Sequence, residues 1–137
     1  MENKFIFIEE CRFFKVYQYL DKIVCIEIKD HIEITELDIE DLLNLLQKNL
    51  GENKYPTLII MNEFTNLTKE AKDLSASERG TKNSDCEVMI VNNFGNQLIY
   101  KMYMLLSKPR VLTNVFTSKE DGLKWLRKNN KASKNLS

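Results

Sequence analysis

Thr35-Glu36-Leu37-Asp38-Ile39-Glu40-Asp41-Leu42-Leu43-Asn44-Leu45-Leu46-Gln47-Lys48-Asn49-Leu50-Gly51, and after it Thr57-Leu58-Ile59-Ile60-Met61, reads as a helix followed by a strand. Thr35 to Asp38 has the form of a capping box, with Asp38 where Glu is usual. Ile39, Leu42, Leu43, Leu46 and Leu50 then fall on one helical face, and Gly51 is a suitable stop. The run 57–61 is short and continuously apolar, which suits a strand buried on both faces of a sheet.

Upstream, residues 23–28 alternate. Ile23, Cys25 and Glu27 face one way, and Val24, Ile26 and Ile28 face the other. Residues 4–9 and 12–20 are rich in Phe, Ile, Val and Tyr and read as two further strands. Asp21-Lys22 is placed to turn the second strand into the third. Downstream, a weaker helix is expected over 68–79, with Ala71 and Leu74 inward and Gly80 ending it. A buried strand follows over 86–91, a helix over 97–106 stopped by Pro109, a strand over 111–116, and a helix over 118–128 capped by Ser118. The order β-β-β-α-β-α-β-α-β-α predicts an α/β domain. Its sheet is mixed and mainly parallel, with an N-terminal antiparallel hairpin and about four helices. One domain is expected over 1–128, with a fraying tail over 129–137.

Several segments carry a family resemblance: Ile23-Val24-Cys25-Ile26-Glu27-Ile28, Ile34-Thr35-Glu36-Leu37-Asp38, Leu67-Thr68-Lys69-Glu70-Ala71-Lys72 and Lys108-Pro109. The most specific is Val115-Phe116-Thr117-Ser118-Lys119-Glu120-Asp121-Gly122-Leu123-Lys124-Trp125-Leu126. Over about residues 12–128 the chain resembles the STAS, or SpoIIAA-like, fold, and more closely the bacterial STAS/SEC14-type families. Those families often close with a helix bearing Ala-x-x-Trp-Leu, where this chain has Gly122. The resemblance implies a SpoIIAA-like fold and a binding or regulatory role, since a fold alone does not set a function. Anti-sigma-factor antagonists of this fold carry Asp-Ser-Ser-Gly with a phosphorylated Ser. The matching stretch here, 61–70, lacks that motif. Thr65 and Thr68 are its only hydroxyls, and Thr68 is already explained as a helix N-cap.

Composition narrows the function classes. The chain has 137 residues, 43% hydrophobic, enough for one packed core. Lys plus Arg and Asp plus Glu are equal at 20 each, so nothing electrostatic points to nucleic acid or an anionic membrane. The apolar stretch near the start is short and followed by acids, unlike a signal peptide, and no run reaches the ~20 residues of a membrane span. Cys11, Cys25 and Cys86 have no metal-knuckle or redox-pair spacing, and reduced thiols fit a cytoplasmic protein. His31 is the single histidine and reads as a loop residue. No Walker A, GxGxxG, GxSxG or HExxH motif is present. Asn62 after Met61 stands where a receiver domain needs an acid. Asp38, Glu40 and Asp41 sit at a helix start, where they complement its dipole. No catalytic centre, metal or cofactor is expected.

Two places remain as candidate sites. In the helix 97–106, Leu98, Met102, Leu105 and Leu106 form a core stripe. Ile99, Tyr100, Tyr103 and Met104 cover much of the rest. A helix apolar nearly all round is buried on more than one side. A second copy of the chain or another protein, the chain's own N-terminal strands, and an apolar ligand are all open as its cover. The leading expectation is a protein-interaction module that forms a homodimer through this helix. The alternative is a small carrier of an apolar ligand or lipid, SEC14-like, with a pocket lined by Tyr100, Tyr103, Phe64 and Phe94. The second place is the crevice at the carboxyl ends of the parallel strands. Its loops hold Asn62, Thr65 and Thr68, then Asn92, Asn93 and Asn96, then Thr117 and Ser118.

Overall fold

The computed structural model describes residues 5–29, 33–61, 66–91, 95 and 110–129. In chain order the elements are β1 (Phe5–Cys11), β2 (Phe14–Tyr19), β3 (Val24–Ile28), β4 (Glu33–Ile34), α1 (Glu36–Leu50) and β5 (Tyr55–Ile60). They continue with β6 (Asn66–Leu67), α2 (Lys69–Ala76), β7 (Ser84–Ile90), β8 (Leu112–Phe116) and α3 (Lys119–Asn129). Six strands form one sheet in the order β1-β2-β3-β5-β7-β8. The β1–β2 and β2–β3 pairs are antiparallel, and β3–β5, β5–β7 and β7–β8 are parallel. This is the mixed, mainly parallel sheet that the sequence predicts. The strand at 84–90 lies inside it. The expected helix at 97–106 falls outside the described residues.

Alternation in the strands sorts side chains onto two packed faces. Val16, Val24, Ile26 and Ile28 face Ile39, Leu42, Leu46 and Leu50 of α1, with Ala71 of α2. Tyr17, Ile23, Cys25, Leu58, Cys86, Val88 and Ile90 form the second core with Leu126, Leu123 and Trp125 of α3. Cys25 and Cys86 are buried in that second core, as the apolar runs around them imply.

Local chemistry explains where elements begin and end. The capping box at Thr35 is complete. The Asp38 amide donates to Thr35 Oγ1 at 3.4 Å, and the Thr35 amide donates to Asp38 Oδ2 at 2.9 Å. Thr35→Ala is expected to cost about 1 kcal/mol by urea denaturation. The β2–β3 connection differs from a two-residue turn. Leu20, Asp21 and Lys22 all lie in the loop, Lys22 takes φ 81, and the Tyr19 amide donates to Ile23 O at 3.0 Å. A left-handed third residue lets a turn without Asn-Gly match the strand twist. The second expected strand is also shortened, because Arg12 and Phe13 are turn residues and Phe14 opens β2. A short parallel pair, β4 with β6, is a further element absent from the sequence reading.

Helix α2 stops earlier than Gly80. Ser77 caps it, donating its amide to Leu74 O, and residues 78–83 form a turn. Gly80 belongs to that turn for a steric reason. A Cβ there would collide with the backbone carbonyls of Leu74 and Ser75. Backbone atoms cannot rotate away, so Gly80→Ala is expected to destabilise the fold by about 2 kcal/mol, measured as a lower denaturation midpoint. At Gly122 a Cβ would lie 2.7 Å from Ile90 Cδ1 and 2.9 Å from Val88 Cγ1. The glycine therefore lets α3 approach the sheet closely, and its departure from the Ala of similar helices is a packing feature.

Candidate functional site

A β-bulge builds the most unusual polar feature of the described residues. In the β5–β7 pair, Tyr55 lies opposite Ser84 and Thr57 opposite Glu87, so β7 takes three steps where β5 takes two. In an unbroken strand Ser84 and Glu87 would point to opposite faces. The extra residue brings both onto the face packed by α1 and α2. There they meet Thr57. Ser84 Oγ is 3.2 Å from Thr57 Oγ1 and 3.3 Å from Glu87 Oε2, and Thr57 Oγ1 donates to Tyr55 O at 3.1 Å.

These three groups form one polar wall of a cleft of about 70 Å³ between the sheet, α1 and the 75–84 segment. Ile26, Ile39, Leu42, Leu46 and Ile59 supply most of the rest, and Glu87 is the one titratable residue lining it. Three side-chain contacts tie α1 and the turn after it to the 75–84 segment. Arg79 pairs with Glu40 of α1 at 2.6 Å, and Lys82 reaches both Gln47 and Glu52. Burial pushes the Glu87 carboxyl up to about 7, and the Ser84 hydroxyl, when it donates to the carboxylate, opposes that rise.

The hydrogen count favours the same state. A protonated Glu87 can donate to Ser84 Oγ, Ser84 to Thr57 Oγ1, and Thr57 to Tyr55 O, so every hydroxyl hydrogen is used. An ionised Glu87 needs the Ser84 hydrogen, and the Ser84–Thr57 contact is then left without a donor unless Thr57 abandons Tyr55. The sequence predicts a strand around Cys86 buried on both faces, a pattern that does not single out Glu87. A lone acid inside such a strand was the available signal.

A second feature lies on the opposite face, at the hairpin. Phe5, Tyr17 and Tyr19 pack ring against ring, with centroids 5.3 to 5.6 Å apart. Lys119, in the first turn of α3, donates to Tyr17 Oη at 2.6 Å and sits 5.1 Å from that ring's centroid. Burial, and donation to Glu27, hold the Tyr17 phenol well above its usual range. Ile8, opposite Tyr17, and Ile6 and Leu20, next in the chain to Phe5 and Tyr19, are 52%, 45% and 59% exposed. The register of the edge strand slips between Phe5 and Phe7, leaving Ile6 without an opposite residue.

The residues chosen from sequence fare unequally. Thr68 is described, and its Oγ1 accepts from the Ala71 amide at 3.1 Å, as the N-cap of α2. Ile99, Tyr100, Tyr103, Met104, Asn62, Thr65, Asn92, Asn93, Asn96 and His31 lie outside the described residues. The cleft sits at the amino ends of β5 and β7, away from the carboxyl-end loops singled out in the sequence. Burial pushes the Cys25 thiol up to about 12, which makes it a poor nucleophile at neutral pH.

The family model described as "Domain of unknown function (DUF7793)" matches residues 17–130. The chain belongs to the DUF7793 family. Among solved structures, this DUF7793 chain is similar to an uncharacterized protein of the DUF3478 family with a SpoIIAA-like fold, from Shewanella loihica PV-4. The TM-score is 0.62 at 20% identity, covering 92% of this chain and 98% of that one. The fold is therefore SpoIIAA-like, as the terminal Phe116 to Leu126 segment suggests. No curated protein matches the sequence. The DUF7793 match contains the whole Glu87 cleft, whereas β1, with Ile6 and Ile8, precedes it. Among the described residues no helix is long and apolar enough to cross a membrane.

Proposed function

We propose that this DUF7793 chain is a non-catalytic binding module that acts through protein–protein contact, with a second copy of itself as partner. The observation that carries the reading is the hairpin patch. Ile6, Ile8 and Leu20 are large, apolar and about half exposed; Ile8 lies opposite Tyr17, and Ile6 and Leu20 follow Phe5 and Tyr19 of the aromatic cluster that Lys119 tops. Single exposed hydrophobes are ordinary, but a group beside aromatic rings is the composition of an interface centre. The slipped register at Ile6 disfavours strand-to-strand addition, so the contact is face to face. The apolar helix expected over 97–106, with Ile99, Tyr100, Tyr103 and Met104, is proposed as part of the same association. Three free cysteines suit a reducing, cytoplasmic setting.

The carrier alternative needs a larger enclosed space than the described residues supply. Ligand pockets usually run to about 300–1,000 Å³; the apolar cleft holds about 70 Å³, and the hollow of about 280 Å³ at Tyr19, Leu20, Asp21, Leu123 and Arg127 lies open on the surface. Sedimentation velocity over a wide concentration range tests the proposal. A reversible shift from monomer to dimer is expected. A single monomeric species at every concentration, with no partner contact at Ile6 or Ile8, would contradict it.

A further inference from the structure

The Glu87 cleft has an architecture that the association at the hairpin does not use. It faces the other side of the sheet, and its carboxyl is the only charge-bearing group among its lining residues. Within the described structure that carboxyl meets one hydroxyl, Ser84, and no cation; Arg79 and Lys82, the cations of the 75–84 segment, are engaged with Glu40 and with Glu52 and Gln47. Glu87 keeps some exposed surface but is mostly enclosed by protein atoms, and a carboxylate so enclosed is costly unless a proton or an opposite charge offsets it. The space beside it determines which charges fit.

We propose that the cleft binds a short primary aliphatic amine, its ammonium donating to Glu87, Ser84 and Thr57 and its alkyl chain lying against Ile26, Leu46 and Ile59. An ammonium group has three donors and no acceptor. The wall presents three matching acceptors: the carboxylate of Glu87, Ser84 Oγ and Thr57 Oγ1. With the amine in place, Ser84 donates to Glu87, Thr57 keeps its bond to Tyr55 O, and the ammonium supplies the hydrogens that ionisation would otherwise leave missing. The amine thus takes the role of the carboxyl proton. A divalent metal is a poor match, because calcium and magnesium take about six or more oxygen ligands and usually more than one carboxylate. An anion would meet Glu87 without a compensating cation. The apolar walls favour an alkyl chain over a bare hydrated ion, and the 70 Å³ cleft limits that chain to a few carbons.

The test uses n-propylammonium chloride with the whole chain at pH 8, where amine and carboxylate are both charged. A ligand of four heavy atoms binds no more tightly than about tens of micromolar, so titration to about 50 mM is appropriate. The melting temperature is expected to rise relative to equal sodium chloride. Amide chemical-shift changes should centre on Thr57 and on Ser84 to Glu87. Glu87→Gln should still fold and should lose both responses. In the unmodified chain, affinity should fall about tenfold per pH unit below 7, because one proton displaces one amine. Glu40 with Arg79, and Lys82 with Glu52, are the charged pairs that tie α1 and the turn after it to the 75–84 segment, and Glu40→Gln should leave the titration unchanged. The proposal is overturned by no response to the amine, by an equal response in Glu87→Gln, or by n-propanol or ammonium chloride acting as strongly as n-propylammonium.

Discussion

Glu87→Gln is expected to stabilise the fold by about 3 kcal/mol at pH 8 and to have almost no effect at pH 4, given a carboxyl raised from 4.5 to about 7. The direction follows from proton binding. Below pH 4.5 the carboxyl is protonated in the folded and unfolded chains, so the fold gains or loses nothing. Between 4.5 and 7 the unfolded chain releases the proton and the folded chain keeps it. Stability therefore falls as pH rises, and it levels off above 7, where both states are ionised. Glutamine has the same shape, never ionises, and can donate through its amide to Ser84 Oγ as the protonated acid does. Its melting temperature should exceed that of the unmodified chain by about 10 °C at pH 8. Paired melts at pH 4, 6 and 8 check the trend. A loss of stability in Glu87→Gln at pH 8 would mean that the carboxylate is held by a cation in the folded chain, against the geometry described above.

Much of the architecture is legible because its signals are local. Alternation at Ile23 to Ile28 assigned both faces of β3 correctly, since period two is all that a central strand requires. Thr35 and Asp38 marked the start of α1, because the capping box is a bonded unit four residues long. What could not be read depends on pairing between distant strands. The β4–β6 pair is two residues long and carries no period. The bulge that unites Ser84 with Glu87 exists only against the register of β5. Sequence alternation alone would place Ser84 on the wrong face, so the cleft chemistry was invisible. Gly80 misled for a different reason: it reads as a helix stop, but Ser77 caps α2 and the glycine serves the turn behind it.

Ile6→Glu combined with Ile8→Glu is expected to weaken the proposed self-association by about a thousandfold while leaving a folded monomer. Each isoleucine is about half exposed in the single chain, at 45% and 52%. Burying the remaining half of each contributes about 1 kcal/mol, from the 1.5–3 kcal/mol of a fully buried side chain. A twofold interface uses each residue twice, so four such contributions approach about 4 kcal/mol, or about three factors of ten in Kd. Glutamates facing their symmetry mates add repulsion. Within the monomer the cost is small, because an exposed edge strand tolerates charge. Sedimentation of the double variant, with circular dichroism to verify folding, reads the effect. If Ile6 and Ile8 lie outside the contact, the association constant will not move. Tyr103→Glu with Met104→Lys then tests the apolar helix by the same method.

The chain is proposed to be a binding module that meets a copy of itself. Native mass spectrometry of freshly purified protein, sprayed at several micromolar concentrations, addresses that claim directly because it counts subunits and retains bound molecules. The expected spectrum contains a monomer of 16.1 kDa and a dimer at twice that mass, the dimer fraction rising with concentration and lost in the Ile6→Glu, Ile8→Glu variant. A spectrum that shows only monomer carrying a retained apolar molecule would contradict the account and establish the carrier in its place.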